Sequence, residues 1–242
     1  MTDTLTIRIS GAFVLLSMAA EFAATGLAFQ HGFGPASMNA MNWGVGAQLV
    51  LFEPDWMRIL FAFAVLAPCL SMLAWPGMYS VLAPGGPSAF YGVIVTSLGF
   101  LIGVVAETIR FSVAVTLPTR YISASNVAQP AVLALGSFLS QLFQTLATTS
   151  FILIYAVGMP LVAVAILRAG TLPRWLGWVL LIPTVLVGYV GGPLLALGYP
   201  SIGGPFIGLG LNIFFVWFVI LGVVLLRWQP TRGRTQAAAT VS

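Results

Sequence analysis

AVLALGSFLSQLFQTLATTSFILIYAVGMPLVAVAILR, Ala131–Arg168, carries no charge until its last residue. As a single α-helix it would be about 57 Å long at about 1.5 Å per residue. The hydrocarbon core of a bilayer is only about 30 Å thick. Backbone groups in hydrocarbon find no water, so a segment this apolar crosses as a helix or as part of a closed barrel. Barrel strands would show as alternating segments of about 10 residues. This stretch is instead continuous and rich in Leu, Ala and Val, so it reads as helix. Its first half carries Ser137, Ser140, Gln141, Gln144, Thr145 and Thr148, whereas the part after Ser150 is apolar except for Tyr155. The length predicts either strong tilt or a break. A polar-faced first half followed by a spanning fourth helix, bent near Thr148 or at Pro160, fits best.

Five further apolar runs flank it. The first covers Ile9–Ala28. The second covers Arg58–Val81 and holds Pro68, a kink site, with Pro76 near its end. After the uncharged turn LAPGGPS comes a third, Ala89–Leu117, which Pro118 is expected to end. Tyr121–Gln129 reads as a polar loop. Beyond the turn GTLPR lie a fifth run, Trp175–Leu197, and a sixth, Phe206–Leu226. The fold class is therefore an all-α integral membrane protein, with six transmembrane helices in one bundle forming a single domain over residues 1–228. The small, polar residues 229–242 are expected to be a disordered cytoplasmic tail. In the first outer loop, MNAMNWGVGAQLVLF reads equally as an irregular loop or as a short interfacial helix, with Met38, Met41 and Trp43 at the headgroups. The first run contains Glu21 and exceeds the 7–15 apolar residues of a signal peptide, so it reads as a retained helix.

Composition agrees. Hydrophobic residues make up 60% of the chain and charged ones 6%, against about 25% charged in soluble domains. All nine basic residues are Arg, and without Lys no Schiff-base cofactor can form. The single histidine, His31, excludes a bis-histidine haem within the chain and His-rich metal sites. Cys69 has no partner for an internal disulfide. No Asp cluster suits Mg²⁺-dependent phosphate chemistry. No cofactor and no metal are expected, and membrane lipid is the expected partner. The Arg residues sit at helix ends rather than on one face, which does not suit a nucleic acid.

Those arginines predict orientation. With the N-terminus inside, the inner side holds Arg8, Arg168, Arg174, Arg227, Arg232 and Arg234, and the outer side Arg58, Arg110 and Arg120. The excess predicts both termini in the cytoplasm and location in the cytoplasmic membrane. Gly99 with Gly103, and Gly204 with Gly208, form GxxxG pairs expected to pack helices within the bundle.

Three ionisable residues fall inside the expected spans: Glu21, Glu107 and Arg110. A charge at the bilayer centre costs about 2.5–3.5 kcal/mol on insertion scales, so each should face the interior and seek partners. Glu107 and Arg110 are spaced i, i+3 and share a helix face. The alternating topology puts Glu21 in the same outer half, with Arg58 at the surface and Gln141, Gln144 and Asn212 at similar depth. These seven residues are the candidate ligand-binding set, for a small polar or anionic ligand. Glu21 is the sharpest of them where it lacks an arginine partner. The competing expectation is a closed salt-bridge network that fixes helix register and binds nothing. No Ser/His/Asp arrangement exists and no catalytic residue is assigned. A Glu pair acting as acid and base remains the least-weighted reading.

RISGAFVLLSMAAEF at Arg8–Phe22, AETIRFSVA at Ala106–Ala114, and IYAVGMPLVAVAILRAGTLPRWLGWVLLI at Ile154–Ile182 together resemble the bacterial multi-pass membrane family called domain of unknown function 4386. Glu21 and Phe22 match its Glu-Phe pair at the end of an Arg-led first helix. Leu172, Pro173, Arg174, Leu176 and Gly177 match its turn before the fifth helix. The resemblance implies a six-helix bacterial membrane fold and carries no activity. The functional expectation is thus binding or transport of a small polar solute or lipid headgroup through the charged pocket. The alternative is a structural or regulatory subunit of a membrane complex.

Overall fold

The computed structural model describes residues 4–30, 54–197 and 199–229. These form α1 (Thr4–Gln30), α2 (Pro54–Leu82), α3 (Pro87–Ser123), α4 (Gln129–Phe151), α5 (Met159–Ala169), α6 (Arg174–Pro183), α7 (Gly192–Ala196) and α8 (Pro200–Leu226). A π-helical stretch, Ile152–Gly158, joins α4 to α5, and another, Thr184–Gly191, joins α6 to α7. Among the described residues there is no strand. Six helical stretches are long and apolar enough to cross a membrane: α1, α2, α3, α4 with α5, α6 with α7, and α8. This is a multi-pass membrane architecture. The stretch between Met38 and Phe52, read equally as a loop or a short interfacial helix, lies outside the described residues along with His31 and the tail from Pro230.

Successive spans pack side by side, and α8 returns against α1 to close the ring. Six crossings bring both chain ends to one end of the bundle, called here the terminal end. There the Arg8 guanidinium donates to the Trp228 carbonyl from Nε (3.3 Å) and Nη2 (3.2 Å). Glycine lets the backbones approach closely in this half. A Cβ at Gly11 would stand 2.7 Å from the Leu226 nitrogen, and one at Gly85 would stand 2.7 Å from the Ala165 carbonyl oxygen. At Gly77 the backbone N–H donates to Ser10 Oγ at 3.1 Å, tying α2 to α1. Trp217, Phe218, Met78, Leu82, Leu176, Leu180 and Leu221 fill the space between the spans and have almost no exposed surface. Trp217 Nε1 donates to the Leu176 carbonyl at 2.8 Å, so this buried indole brings its own polar group to a partner.

The turns are built as their residues dictate. Gly86, at φ +77° and ψ −151°, occupies a conformation open essentially to glycine, and it separates α2 from α3. Gly170 ends α5 in the left-handed region at φ +63°. In the following turn Thr171 Oγ1 donates to the Val81 carbonyl at 2.8 Å.

Two helix ends differ from expectation. α3 does not stop at Pro118 but continues to Ser123. Proline removes one backbone donor and need not end a helix whose sides are packed. Here Val113 and Leu117 are buried against Val132, Leu133 and Leu139 of α4, which holds the last turns in place. α8 likewise begins at Pro200 and runs through Pro205.

The fourth span is 41 residues long, and its irregularity falls between the two expected positions, at Ile152–Gly158. Pro160 has no N–H for the carbonyl of Ala156, four residues earlier. Tyr189 Oη donates to that carbonyl at 2.6 Å from the neighbouring span. The π stretches of the two spans meet here, and a Cβ at Gly188 would stand 2.8 Å from the Tyr155 carbonyl carbon and oxygen. Both stretches run into the same five-residue pattern, Val-Gly-x-Pro-Leu, at 157–161 and at 190–194. A proline two residues beyond the π stretch is the local signal for each. Of the GxxxG pairs, Gly99 and Gly103 face Ile154 and Ser150 of the fourth span as expected, while Gly208 faces open space.

Candidate functional site

Away from the terminal end the interior changes character. Ser17 of α1 and Ser71 of α2 share a buried hydrogen bond of 2.7 Å. One helical turn further along α1 the chain places Glu21. This residue opens on a cavity of about 180 Å³ lined by α1, α2, α3, the fourth span and α8. α3 brings Glu107, Gly103 and Phe100 to the wall. The fourth span brings Ser150, Phe151 and Tyr155 around its π stretch, and α8 brings Phe214 and Phe215. Phe151 stacks on Tyr155 at 5.5 Å, and Tyr155 meets Phe214 edge-on at 5.3 Å. Ser150 Oγ donates to the Gly99 carbonyl at 2.8 Å, so its proton is already committed. The wall is thus mostly aromatic and small, with two carboxylates.

The two carboxylates are not equivalent. Glu107 Oε2 lies 3.2 Å from Arg110 Nε, and the two side chains are 23% and 21% exposed. The i, i+3 geometry holds the charges in ion-pair range but aims the N–H away, so both atoms are buried without a hydrogen bond. Two rings complete the arginine's surroundings. Its guanidinium carbon stands 4.9 Å from the centroid of Phe61 and 5.4 Å from that of Phe143. Cation–π contacts of this kind are worth roughly 0.5–2 kcal/mol, more as water is excluded. Arg110 is not itself on the cavity wall. Glu21 interacts electrostatically with Glu107, Arg110 and Tyr155. Among the described residues it has neither an ion pair nor a hydrogen bond.

The residues singled out from sequence therefore divide. Glu21, Glu107 and Arg110 come together. Arg58 is exposed near the start of α2. Gln141 and Gln144 are exposed on an open groove of α4 with Thr145, Thr148 and Thr149, away from the cavity. Asn212 is exposed and donates from Nδ2 to the Gly208 carbonyl of its own helix at 2.7 Å. Tyr189 does not bond Asn212 but donates to the Ala156 carbonyl of the neighbouring span. Sequence reasoning did not find Phe61 and Phe143 around Arg110, or Tyr155, Phe214 and Phe215 around the cavity. In an apolar chain with 17 Phe, no spacing marks out these few.

No family model, curated protein or solved structure matches the chain.

Proposed function

We propose that this is a multi-pass protein of the cytoplasmic membrane, with both termini in the cytoplasm, that binds a small polar solute in the cavity and passes it across the bilayer. On this reading the host membrane is bacterial, as the family resemblance implies. One observation carries the reading: Glu21 stands on the wall of a cavity between five spans and has no ion-pair partner among the described residues. An ionisable residue inside a membrane bundle is costly and marks a pathway or a ligand site by default. A purely structural network would have closed around it.

The test is native mass spectrometry of the full chain released from membranes, beside Ala64→Phe, which adds a ring at a cavity-lining position. The expected result is a stoichiometric small molecule on the wild type that the variant lacks. A clean ligand-free mass for a folded wild type would overturn the binding reading. It would favour a structural subunit in which the Glu107–Arg110 pair only sets register. Orientation is tested separately in a Cys69→Ser background. Ser125→Cys should react with a membrane-impermeant thiol reagent from outside, and Thr171→Cys only after permeabilisation. The reverse pattern would invert the topology.

A further inference from the structure

We infer that the ligand of this cavity is a small organic cation of the ammonium class, its positive centre held between the Glu21 carboxylate and the surrounding ring faces. This deepens the proposed function and rests on the cavity being the solute site.

The sign of the charge comes first. Among the described residues the wall carries two carboxylates, Glu21 and Glu107, and no basic side chain. The Arg110 guanidinium sits behind the wall against Glu107 and between Phe61 and Phe143. One guanidinium cannot neutralise two carboxylates, so the cavity favours one added positive charge, a proton when empty or a bound cation when occupied. An anion would meet repulsion from Glu21 with nothing on the wall to offset it.

The lining then selects among cations. A divalent metal needs about six or more oxygen ligands. Here Ser17 and Ser71 bond each other, Ser150 bonds the Gly99 carbonyl, and the remaining wall beyond the two carboxylates is aliphatic or aromatic, with only the Tyr155 hydroxyl as a side-chain oxygen. Aromatic faces present negative potential and hold ammonium groups well, trimethylated ones included. Phe100, Tyr155, Phe214 and Phe215 supply such rings. Size sets the scale. The cavity, about 180 Å³, is slightly larger than the roughly 150 Å³ that admits benzene in an engineered core. A ligand of about six to eight non-hydrogen atoms follows. A free amine and the headgroup of an amine-bearing lipid share this chemistry.

Choline is the probe, with its neutral isostere dimethylbutanol as control. Binding is measured by calorimetry on the full-length protein in a maltoside detergent free of choline lipids. Saturable choline binding is expected, with the neutral isostere weaker by about tenfold or more, as loss of a charge-assisted contact implies. Glu21→Gln should weaken choline by a similar factor while eluting as a folded species. Glu21→Asp should retain part of the affinity, and Phe215→Leu should lose several-fold. Choline binding free in solution would make the ligand a solute. Binding of lysophosphatidylcholine alone would make it a headgroup, and either result upholds the ammonium class. Equal binding of the neutral isostere, or undiminished binding in Glu21→Gln, would overturn the inference and leave a solute site for a neutral molecule. If neither ammonium probe binds, the inference falls. The mass-spectrometric comparison with Ala64→Phe then decides whether the cavity reading falls with it.

Discussion

The terminal half of the bundle and the half that holds Glu21 are made from the same apolar vocabulary, yet they solve different problems. In the terminal half, glycines at 11, 77, 85 and 92 bring backbones together, and Trp217, Phe218, Leu176 and Leu180 fill what remains. Buried polar groups there are neutral: Ser10 accepts from Gly77, Ser88 donates to Gly85, and Trp217 donates to Leu176. In the other half, aromatic side chains stand around a space instead of filling it, and three ionisable groups lie half-buried near it. Hydrocarbon gives helices no hydrophobic reason to associate, so close contact between small residues must hold them. Stability therefore resides mainly where the spans touch, which leaves the other half free to keep a cavity and a charge.

The sharpest way to break that comparison is to remove one large aromatic from each half. Trp217→Ala empties a site with no exposed surface and removes the indole donor from the Leu176 carbonyl. A loss of about 3–5 kcal/mol is expected, nearer the lower end because transfer to lipid contributes little. Phe215→Ala merely enlarges an existing cavity beside a partly exposed ring, and about 1–2 kcal/mol should be lost. Unfolding in mixed detergent–sodium dodecyl sulfate micelles measures both. Equal losses would mean that the two halves are packed alike.

Depth along the membrane was legible in the sequence, but direction around each helix was not. Hydropathy located all six spans, though the third runs on to Ser123 and the sixth starts at Pro200, six residues beyond the expected ends, and alternating topology put Glu21, Glu107 and Arg110 at one level. A charge in an apolar run stands out because hydrocarbon tolerates few. The same depth argument also gathered Gln141, Gln144 and Asn212, which the structure turns outward. A soluble helix shows its inner face by polarity, whereas a membrane helix is apolar on both faces. For that reason Phe61 and Phe143, the rings that flank Arg110, carry no signal. The π stretches were half legible. Proline at 160 announced an irregularity, but its accommodation depends on Tyr189 from another span.

The next test asks whether charge in the second half supports the fold or merely occupies it. Glu107→Gln leaves the half-buried Arg110 without its ion-pair partner, beside Phe61, Phe143 and the more distant Glu21 charge. A loss of about 2–4 kcal/mol is expected, because an uncompensated buried charge is worse than a neutral replacement of both partners. Glu107→Gln combined with Arg110→Met should recover most of it. If the double variant is as unstable as the single one, the aromatic cradle of Arg110 matters more than the pair. If the single variant melts like wild type, the pair is solvated and the contrast with the dry terminal half weakens.

The smallest effect is expected where the fourth and fifth spans cross at their π stretches. Tyr189→Phe removes the donor to the Ala156 carbonyl, the group that Pro160 cannot serve. Tyr189 is exposed on the bundle surface, where lipid offers no water as a substitute, and interhelical hydrogen bonds in membranes average about 0.6 kcal/mol and reach about 1.7. A loss of about 1 kcal/mol follows. Pro160→Ala returns a backbone N–H to the position four residues beyond Ala156, so Tyr189→Phe made in that background should cost almost nothing. An undiminished cost there would show that Tyr189 holds the two spans by packing, and that the irregularity does not depend on the carbonyl Pro160 leaves behind.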